Sequence, residues 1–435
     1  MEVLKTLIQN SYTFNEKNEF PIQTVRLKEL VKRYPEKIES MKDFALGARP
    51  LIHEDVLLLI NDFLTLKMKS GSSIEKRIYN DMSLPNFVNR LLTKRPLVFM
   101  GRRDSYLLRD GEGKGNGGFE SIGRDKAERF PLIMDKYLTY DEIKISALLG
   151  TSSHTLAINK GDRFNKGRVD ADEEFVNEAL IIGLVGPRFQ KKDFMEYQDT
   201  IISNSKDVKP FGKDLYQRLY RVAKFSSIEE ASEMNDDHMI RLKNDLYFDK
   251  IIYKRRIEIT AETLLREANH RAEVLNKKAY VHIVGLGLGV WRLCSEQLQI
   301  YVDVFGNFIS KNSLCQISDI DFSWISVKSV CGTPNNGTIN GIKIHLSKRN
   351  FFDVLPPQDK NKLLVVSWAY DGNSYPGNEF WNGKLSGSGD SQAASSTQVT
   401  ELHNPLINPW FNADNLHVVS RQHNGVFKYT DYLNK

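Results

Sequence analysis

The sequence contains little cysteine and no long hydrophobic run. Only three of its 435 residues are cysteine, at positions 294, 315 and 331, which excludes a disulfide-stabilised scaffold and fits a reducing compartment. No window approaches the roughly 18 consecutive apolar residues that a membrane-spanning helix requires. Residues 1–5 carry charge early and begin no uninterrupted apolar segment, so we expect no secretory signal peptide.

Several metal-binding and catalytic motifs are also absent. The sequence has no C-x-x-C pair and its nine histidines are scattered, so a structural zinc site is not expected. It has no H-E-x-x-H motif and no G-x-x-x-x-G-K-[ST] motif, which excludes zincin metalloproteases and Walker-type nucleotide hydrolases. We therefore predict a site that uses neither a metal ion nor an organic cofactor.

The charge is nearly balanced along the chain. Sixty lysines and arginines stand against 55 aspartates and glutamates, which gives a formal net charge of +5. This small excess tolerates an anionic ligand such as a nucleotide or a phosphate. Because no block of about five or more like charges occurs, we expect no nucleic-acid partner.

Hydrophobic periodicity divides the chain into three segments. Residues 1–95 are predicted to be a helical N-terminal region, with a dense apolar pattern over 52–66 and a helix start at Ser83. Residues 96–278 are predicted to be a mixed α/β and helical segment that packs on the C-terminal sheet. Residues 279–435 alternate short apolar runs with helical windows, which predicts an α/β fold with a mixed sheet and helices on both faces.

Short apolar or alternating runs mark the predicted strands. They cover residues 96–100, 179–185, 280–284, 319–325, 342–346, 363–368 and 416–419. Those that precede residue 279 fit either the same sheet or a separate one. Trp324 lies in an alternating run and is expected in the core.

A glycine-rich loop follows the predicted strand 280–284 and precedes a helical window. Glycine at alternate positions lets the backbone approach a ligand closely, and a following helix N-terminus offers free N–H groups. We predict an anion cradle, best suited to a diphosphate, formed by Gly285, Gly287, Gly289, Val290 and Trp291. The spacing is not G-x-G-x-x-G, so a nicotinamide site is not favoured. The alternative is a tight strand-to-helix turn without a ligand.

A polar loop follows the predicted strand 363–368. Ligands in open α/β sheets bind outside the carboxyl ends of strands, and amide and hydroxyl side chains suit ribose and pyrophosphate. The predicted ligand-binding residues here are Asn373, Ser374, Tyr375, Gly377 and Asn378. The alternative is a surface loop closed by turn residues.

A third loop places a carboxylate at a predicted helix start. Asp390 follows Gly387 and Gly389, which would let the backbone approach a ligand just before the carboxylate. We predict Asp390 as a catalytic residue, with Ser388 and Gly389 in contact with the ligand. The alternative is that Asp390 is only the N-cap of the helix.

Together, these three loops resemble the macrodomain fold, in the branch related to poly(ADP-ribose) glycohydrolase. In that family a strand leads into an Asn-bearing loop, then a Gly-rich loop, then an acidic residue that opens a helix. Residues 366–377 look like the first part, 388–392 look like the catalytic part, and 285–291 are similar to the second phosphate loop. That phosphate loop usually follows the catalytic loop in the family but precedes it here, so the domain looks circularly permuted.

The resemblance has consequences for the substrate. The glycohydrolase's paired glutamates are replaced by the single Asp390, which favours mono(ADP-ribose) over poly(ADP-ribose). The chain also resembles the MavL family of Legionella effectors, which are macrodomain-like hydrolases of arginine-linked ADP-ribose with ubiquitin among the modified proteins. The resemblance implies that ADP-ribose is the ligand, that an ADP-ribosylated protein such as ubiquitin is the substrate, and that the chain is a secreted bacterial effector acting in the host cytosol.

The residue types suit this reaction. Breaking the ribose C1″–N bond passes through an oxocarbenium-like state, which a carboxylate stabilises while it activates water. We expect Asp390 to do both, with an ordinary pKa that keeps it ionised, and Glu379 to be the acid partner of the leaving guanidine. Two other functions fit the sequence: a module that binds ADP-ribose or a related nucleotide without hydrolysis, and an interaction factor whose helical N-terminal region binds a host protein.

Overall fold

Helices and strands alternate along the chain in the computed structural model, which describes residues 2–109, 113–171, 174–203 and 212–435. The helices are α1 (Glu2–Lys17), α2 (Leu27–Arg33), α3 (Ile38–Gly47), α4 (Glu54–Ser70), α5 (Ser73–Tyr79), α6 (Leu84–Thr93), α7 (Tyr140–Ser146), α8 (Tyr197–Thr200), α9 (Lys213–Tyr220), α10 (Ile228–Glu233), α11 (Lys250–Val274), α12 (Glu296–Lys311), α13 (Gly389–Ser396), α14 (Val399–Leu402) and α15 (Tyr429–Tyr432). The strands are β1 (Arg49–His53), β2 (Val98–Met100), β3 (Ser105–Leu107), β4 (Lys114–Asn116), β5 (Leu149–Leu156), β6 (Glu178–Leu184), β7 (Ile201–Ile202), β8 (Met239–Arg241), β9 (Tyr247–Asp249), β10 (Ala279–Ile283), β11 (Ile317–Ser323), β12 (Ser329–Val330), β13 (Thr333–Pro334), β14 (Thr338–Ile339), β15 (Ile342–Ser347), β16 (Leu363–Ala369), β17 (His417–Ser420) and β18 (Gly425–Lys428).

A ten-stranded mixed sheet organises the molecule. Its strands follow the order β14–β15–β11–β10–β16–β6–β5–β1–β17–β18. The five neighbouring strands from β15 to β6 run parallel, whereas β5 is antiparallel to both β6 and β1. The predicted α/β class and mixed sheet are confirmed, and strand β2, predicted from the run 96–100, belongs instead to a small sheet with β3 and β4.

Side chains on the central strands are buried alternately on the two faces of the sheet. Along β10, Val281 and Ile283 pack with helices α11 and α12, whereas Tyr280 packs in the core that includes α4, α6 and α13. Val365 and Val366 of β16 divide in the same way. Since burying one such aliphatic side chain contributes about 1.5–3 kcal/mol, both helix layers are held to the sheet by apolar contact.

Capping residues define where two N-terminal helices begin. The Ser83 side chain accepts the Asn86 N–H and starts α6, which confirms the predicted helix start. The apolar pattern over 52–66 is a helix only from Glu54 onward, because the preceding residues pair with β5 and β17 as strand β1. Apolar density is equally high in both elements, so it could not mark the boundary.

The connections create a crevice between β10 and β16. From β10 the chain runs through α12 to β11 and β15 and then returns to form β16 on the other side of β10. At such a reversal the loops after two neighbouring strands diverge, and ligands bind in the space between them. The predicted loops 285–291 and 371–378 follow the two strands that border this crevice.

The sheet takes strands from all three predicted segments. Strand β1 lies in 1–95, β5 and β6 lie in 96–278, and the other seven strands of the large sheet lie in 279–435. The division of the chain into those segments stays a prediction. Across the part of the chain that the structure describes, no helix combines the length and apolar character needed to cross a membrane.

The predicted burial of Trp324 is wrong. Strand β11 ends at Ser323, and Trp324 adopts a φ of 59°, which breaks the alternation of the strand. Its side chain is 63% exposed. The periodic pattern had extended the strand one residue too far.

Candidate active site

Three loops meet at the carboxyl ends of β6, β10 and β16. A Cβ at Gly186, after β6, would collide with the backbone of Gly287, so the first two loops are in direct contact. A Cβ at Gly389 would lie 2.9 Å from that of Ala369 at the end of β16. The lack of a side chain at Gly389 lets helix α13 begin against the end of β16.

The loop after β10 presents free backbone donors. The N–H groups of Gly289, Val290 and Trp291 have no hydrogen-bond acceptor among the described residues. Consecutive free amides of this kind form an anion-binding concavity. Helix α12 begins only at Glu296, so residues 289–291 belong to the loop and not to the first turn of the helix.

The three glycines of this loop have different reasons to be glycine. Gly287 has a φ of 75°, and a Cβ there would lie 3.1 Å from the Pro187 carbonyl oxygen. A Cβ at Gly285 would lie 3.0 Å from the Cβ of Leu288. Gly289 has an ordinary backbone and open space around it. Packing therefore explains Gly285 and Gly287. Packing does not require glycine at position 289, where the lack of a side chain would let a ligand approach the backbone closely.

The two residues after Gly289 differ in exposure. The Val290 side chain is 83% exposed, whereas Trp291 packs partly against the hydrophobic core. The role that we predict for both residues depends on their backbone amides and not on their side chains.

Two side chains of the loop after β16 fasten it to the segment around β2. The Asn378 Oδ1 accepts the Phe99 N–H at 3.0 Å, and its Nδ2 donates to the Phe99 carbonyl and to an oxygen of Asp371. The Tyr375 hydroxyl donates to the Thr93 carbonyl at 2.8 Å. Both side chains are buried, so their observed contacts position the loop.

Two other polar side chains of this loop lack partners. The Asn373 Oδ1 and the Ser374 Oγ are buried and have no hydrogen-bond partner among the described residues. A buried polar group left in this state costs about 1–3 kcal/mol, and a ligand or an ordered water commonly satisfies it. Their predicted role in binding ligand hydroxyls is compatible with this geometry.

Three carboxyl groups that follow β16 interact electrostatically, and we call Asp371, Glu379 and Asp390 the carboxylate cluster. Asp390 is buried; its Oδ1 accepts the Gly377 N–H at 2.9 Å, and its Oδ2 has no partner among the described residues. Glu379 is half-buried and accepts the Ser388 hydroxyl at 2.7 Å. The cluster thus holds an unsatisfied carboxyl oxygen beside more accessible ones.

The cluster binds protons more tightly than ordinary carboxyl groups do. Burial, with the negative charges of Asp371 and Glu379, raises the pKa of Asp390 well above its ordinary value. Burial and Glu379 raise the pKa of Asp371 to about 7. The ordinary pKa expected for Asp390 is therefore wrong, because neither its depth nor its charged neighbours can be read from spacing. Such a site contains both an acid and a base near pH 7.

The alternative role of Asp390 as an N-cap is also wrong. Ser388 caps α13, since its Oγ accepts the Ser391 N–H at 3.2 Å. Asp390 lies inside the first turn, and its carboxyl points to Gly377 instead of to its own helix. Its side chain is therefore not needed to start the helix.

Sequence reasoning missed two charged residues of this site. Asp371 is the second residue after β16, and its place at a strand end was the available signal. Arg95 is fully buried; its Nη2 donates to the Ser146 Oγ at 2.9 Å, and that hydroxyl donates to the Gly372 carbonyl at 2.5 Å. Burial lowers the pKa of Arg95 to about 9, against the opposing effect of Tyr375 and Asp390, so it stays cationic and offsets the charge of the cluster.

No metal centre is formed by the described residues. Within 2–109, 113–171, 174–203 and 212–435, no group of three or more His, Cys, Asp or Glu side chains is arranged to hold an ion. The predicted independence from metal stays a prediction and is tested below.

Comparisons with known proteins cover nearly the whole chain. A family model described as "ADP-ribosylhydrolase MavL-like" matches residues 5–435. ADP-ribosylarginine hydrolase CG2909 of Drosophila melanogaster is 37% identical over 446 aligned positions, which span 96% of this chain and 88% of the fly protein. ADP-ribosylarginine hydrolase CG3568 of the same fly is 37% identical over 451 positions, which span 96% and 86%.

Proposed function

Because this chain belongs to the MavL-like ADP-ribosylhydrolase family, we propose that it releases mono-ADP-ribose from an arginine side chain of a modified protein. The carboxylate cluster is the observation that carries this proposal. An ADP-ribosylated guanidinium keeps its positive charge, and three carboxyls in a partly buried crevice favour a cation. The two fly relatives are also named for arginine-linked ADP-ribose.

The ligand would lie across the crevice from β10 to β16. The diphosphate would accept hydrogen bonds from the free amides of residues 289–291, without a metal ion. The reactive ribose would then lie over the carboxylate cluster, with the unpaired groups of Asn373 and Ser374 available to its hydroxyls. The unsatisfied Oδ2 of Asp390 would face C1″.

The reaction would need no proton from outside the site. The entering guanidinium lowers the pKa of the buried carboxyls, so Asp390 becomes ionised in the complex. The C1″–N bond breaks with its electron pair on the guanidine nitrogen, and Asp390 stabilises the oxocarbenium ion. Asp390 takes a proton from the water that attacks C1″, and this proton passes through Asp371 or Glu379 to the guanidine, which leaves as arginine.

The resemblance to known families carries three finer predictions. They are the macrodomain-like fold with its circular permutation, ubiquitin as the modified protein, and a secreted effector in the host cytosol. The permutation would follow from the order of the loops, since 285–291 precedes Asp390 in the chain.

The decisive experiment is incubation with an arginine-mono-ADP-ribosylated protein. We expect free ADP-ribose, identified by mass spectrometry, and an unmodified arginine on the protein. Isothermal titration with ADP-ribose on the same preparation separates the alternatives. Binding without release would indicate a non-catalytic module, and neither binding nor release would indicate an interaction factor.

Replacing Gly289 with valine is expected to weaken ADP-ribose binding without unfolding the protein. A Cβ at position 289 would have no atom within 4 Å in the free protein, but the valine side chain would keep the diphosphate from the loop amides. Loss of one such hydrogen bond costs about 1–3 kcal/mol, or roughly a 5- to 150-fold higher Kd. Isothermal titration measures this effect. Val290→Ala is the control, since it alters an exposed side chain and leaves the amides in place; equal affinity in Gly289→Val and the unaltered protein would remove this loop from the phosphate site.

Excess EDTA is expected to leave turnover unchanged. In the proposed reaction, carboxylates and backbone amides stabilise all of the charge that develops, so no step depends on a divalent ion. ADP-ribose release is followed before and after chelation, with a magnesium-dependent hydrolase in the same buffer to show that chelation is complete. Loss of activity that magnesium restores would contradict the metal-free site.

A further inference from the structure

Arg188 is a buried cation that no step of the proposed reaction uses. It lies on the loop after β6, two residues beyond Gly186, whose backbone is in contact with Gly287 of the loop after β10. Its side chain is 2% exposed, and its Nη1 has no hydrogen-bond partner among the described residues. A charge buried to this depth is unfavourable unless other charges offset it, so the charges near Arg188 indicate its role.

A buried carboxylate holds the guanidinium in place. Asp104, the residue before β3, is fully buried, and its Oδ1 accepts the Arg188 Nη2 at 3.3 Å. The other oxygen of Asp104 accepts the Tyr140 hydroxyl and the Lys191 ammonium group. The Arg188 Nη2 also donates to the Gly101 carbonyl at 3.0 Å. The guanidinium is therefore fixed, and the group keeps a net positive charge because two cations share one carboxylate.

The same guanidinium contacts the residue that positions Asp371. Its Cζ lies 5.2 Å from the centre of the Phe99 ring, and the Phe99 N–H and carbonyl both bond to the Asn378 side chain. The Asn378 Nδ2 donates in turn to Asp371. Arg188 also acts on Asp371 through its charge, which opposes the rise in the pKa of that carboxyl. Packing and charge thus both connect Arg188 to Asp371.

Two buried arginines act on different carboxyls of the cluster. Asp371 interacts with the negative charges of Glu379 and Asp390 and with the positive charge of Arg188. Arg95 is the cation that acts on Asp390. The cation of Asp371 therefore comes from the loop after β6, and the cation of Asp390 comes from the segment before β2.

We propose that Arg188 is a positioning residue that acts through Asp371: held by Asp104, it keeps that carboxyl in place and stabilises the carboxylate left when Asp371 gives its proton to the leaving guanidine. The proposal rests on the proposed function and deepens it. The guanidine nitrogen takes the proton of the Asp371 O–H, and Asp390 returns to Asp371 the proton that it took from water, so no proton is gained or lost. Without the cation, Asp371 would release its proton less readily.

The pH profile of kcat tests this role, because the limb that Asp371→Asn abolishes reports the ionisation of Asp371. Arg188→Gln removes the cation and keeps a hydrogen-bond donor, whereas Arg188→Lys keeps the charge. Asp104→Asn makes the opposite change, because it leaves the cation in place and removes a negative charge beside it. Thermal melting shows whether each variant is folded, and titration gives its Kd for ADP-ribose.

Arg90→Gln is the matched control. Arg90 is similarly buried and pairs with the buried Glu142 at 2.5 Å, much as Arg188 pairs with Asp104, but it lies on α6. Its loss should lower stability and leave the pH profile unchanged. A general effect of removing a buried arginine would appear in both variants.

We expect Arg188→Gln to move the Asp371 limb upward by about one pH unit or more and to lower kcat, with the Kd for ADP-ribose unchanged. Arg188→Lys should stay close to the unaltered protein, and Asp104→Asn should move the limb downward. In an Asp371→Asn background, Arg188→Gln should lower kcat no further, because the two residues act as a unit.

Weaker ADP-ribose binding with unchanged kcat in Arg188→Gln would overturn the proposal and indicate that the guanidinium binds the ligand itself. An unmoved limb, or the same shift in Arg90→Gln, would overturn it too. Should Arg188→Gln fail to fold, Asp104→Asn decides, since a limb that stays in place or rises there is incompatible with a cation acting on Asp371. Absence of ADP-ribose release by the unaltered protein would instead overturn the proposed function.

Discussion

Replacing Asp390 with asparagine is expected to lower the rate of ADP-ribose release at least about 100-fold, the low end of the contribution of one general acid–base group. Asparagine still accepts the Gly377 N–H, so the loop keeps its main contact. Asparagine has no negative charge to stabilise the oxocarbenium ion, and it cannot take a proton from water. Affinity for free ADP-ribose should change much less, because the diphosphate contacts lie on the loop after β10.

Single-turnover kinetics, titration and thermal melting on one sample of the Asp390→Asn variant check this result. Asp249→Asn is the matched control, because Asp249 is also buried with a raised pKa, but it caps α11 by accepting the N–H groups of Ile251 and Ile252. It should lose stability and keep its rate. Turnover within a factor of a few of the unaltered protein in Asp390→Asn would remove Asp390 from the chemistry and assign the catalysis to other residues.

Replacing Asp371 with asparagine is expected to slow turnover at least about tenfold, as the proton relay loses one member, and to change how stability depends on pH. The pKa of Asp371 is about 7 in the folded protein and ordinary, near 4, in the unfolded chain. Between these values the folded state binds more protons, so the free energy of unfolding falls as pH rises through this window. The titration of Asp371 should therefore lower the melting temperature of the unaltered protein at pH 8 relative to pH 5.

Melting curves at pH 5 and pH 8 isolate this contribution. Asp371→Asn should lose less stability between the two pH values than the unaltered protein does, because asparagine does not titrate. Asp125→Asn serves as the comparison, since Ser73 holds the pKa of that exposed carboxyl below its ordinary value and outside this window. An identical change of melting temperature in Asp371→Asn and the unaltered protein would show that Asp371 is not buried in a neutral form.

Periodicity was enough to predict the strands that lead into the two candidate ligand loops. Strands β10, β16 and β17 are short apolar runs and β15 alternates with period two, and the loops after β10 and β16 carry the glycines and amides that we expected near a ligand. Strand β5 could not be found in this way. Its residues Ser152 and Ser153 are polar, yet they are buried because Ser152 donates to Glu267 and Ser153 contacts His403.

The pKa values of the site could not be predicted from the sequence either, because they too depend on tertiary contacts. Sequence spacing places Asp371, Glu379 and Asp390 within twenty residues of one another, but the pKa of each depends on its depth and on the charges that tertiary packing brings near. Arg95 illustrates the point. It comes from a different part of the chain and reaches the site through Ser146 and Gly372, and no local pattern marks it.

The contact between Gly186 and Gly287 has a consequence for binding thermodynamics. Because the loop after β10 rests on the backbone after β6, its free amides are held in place before any ligand arrives. A ligand that meets a preformed cradle does not have to order the loop, so little conformational entropy is lost on binding. If ADP-ribose is the ligand, it should accordingly bind at a rate set by diffusion into the crevice. A side chain at position 186 would collide with Gly287 and would slow that step by displacing the loop.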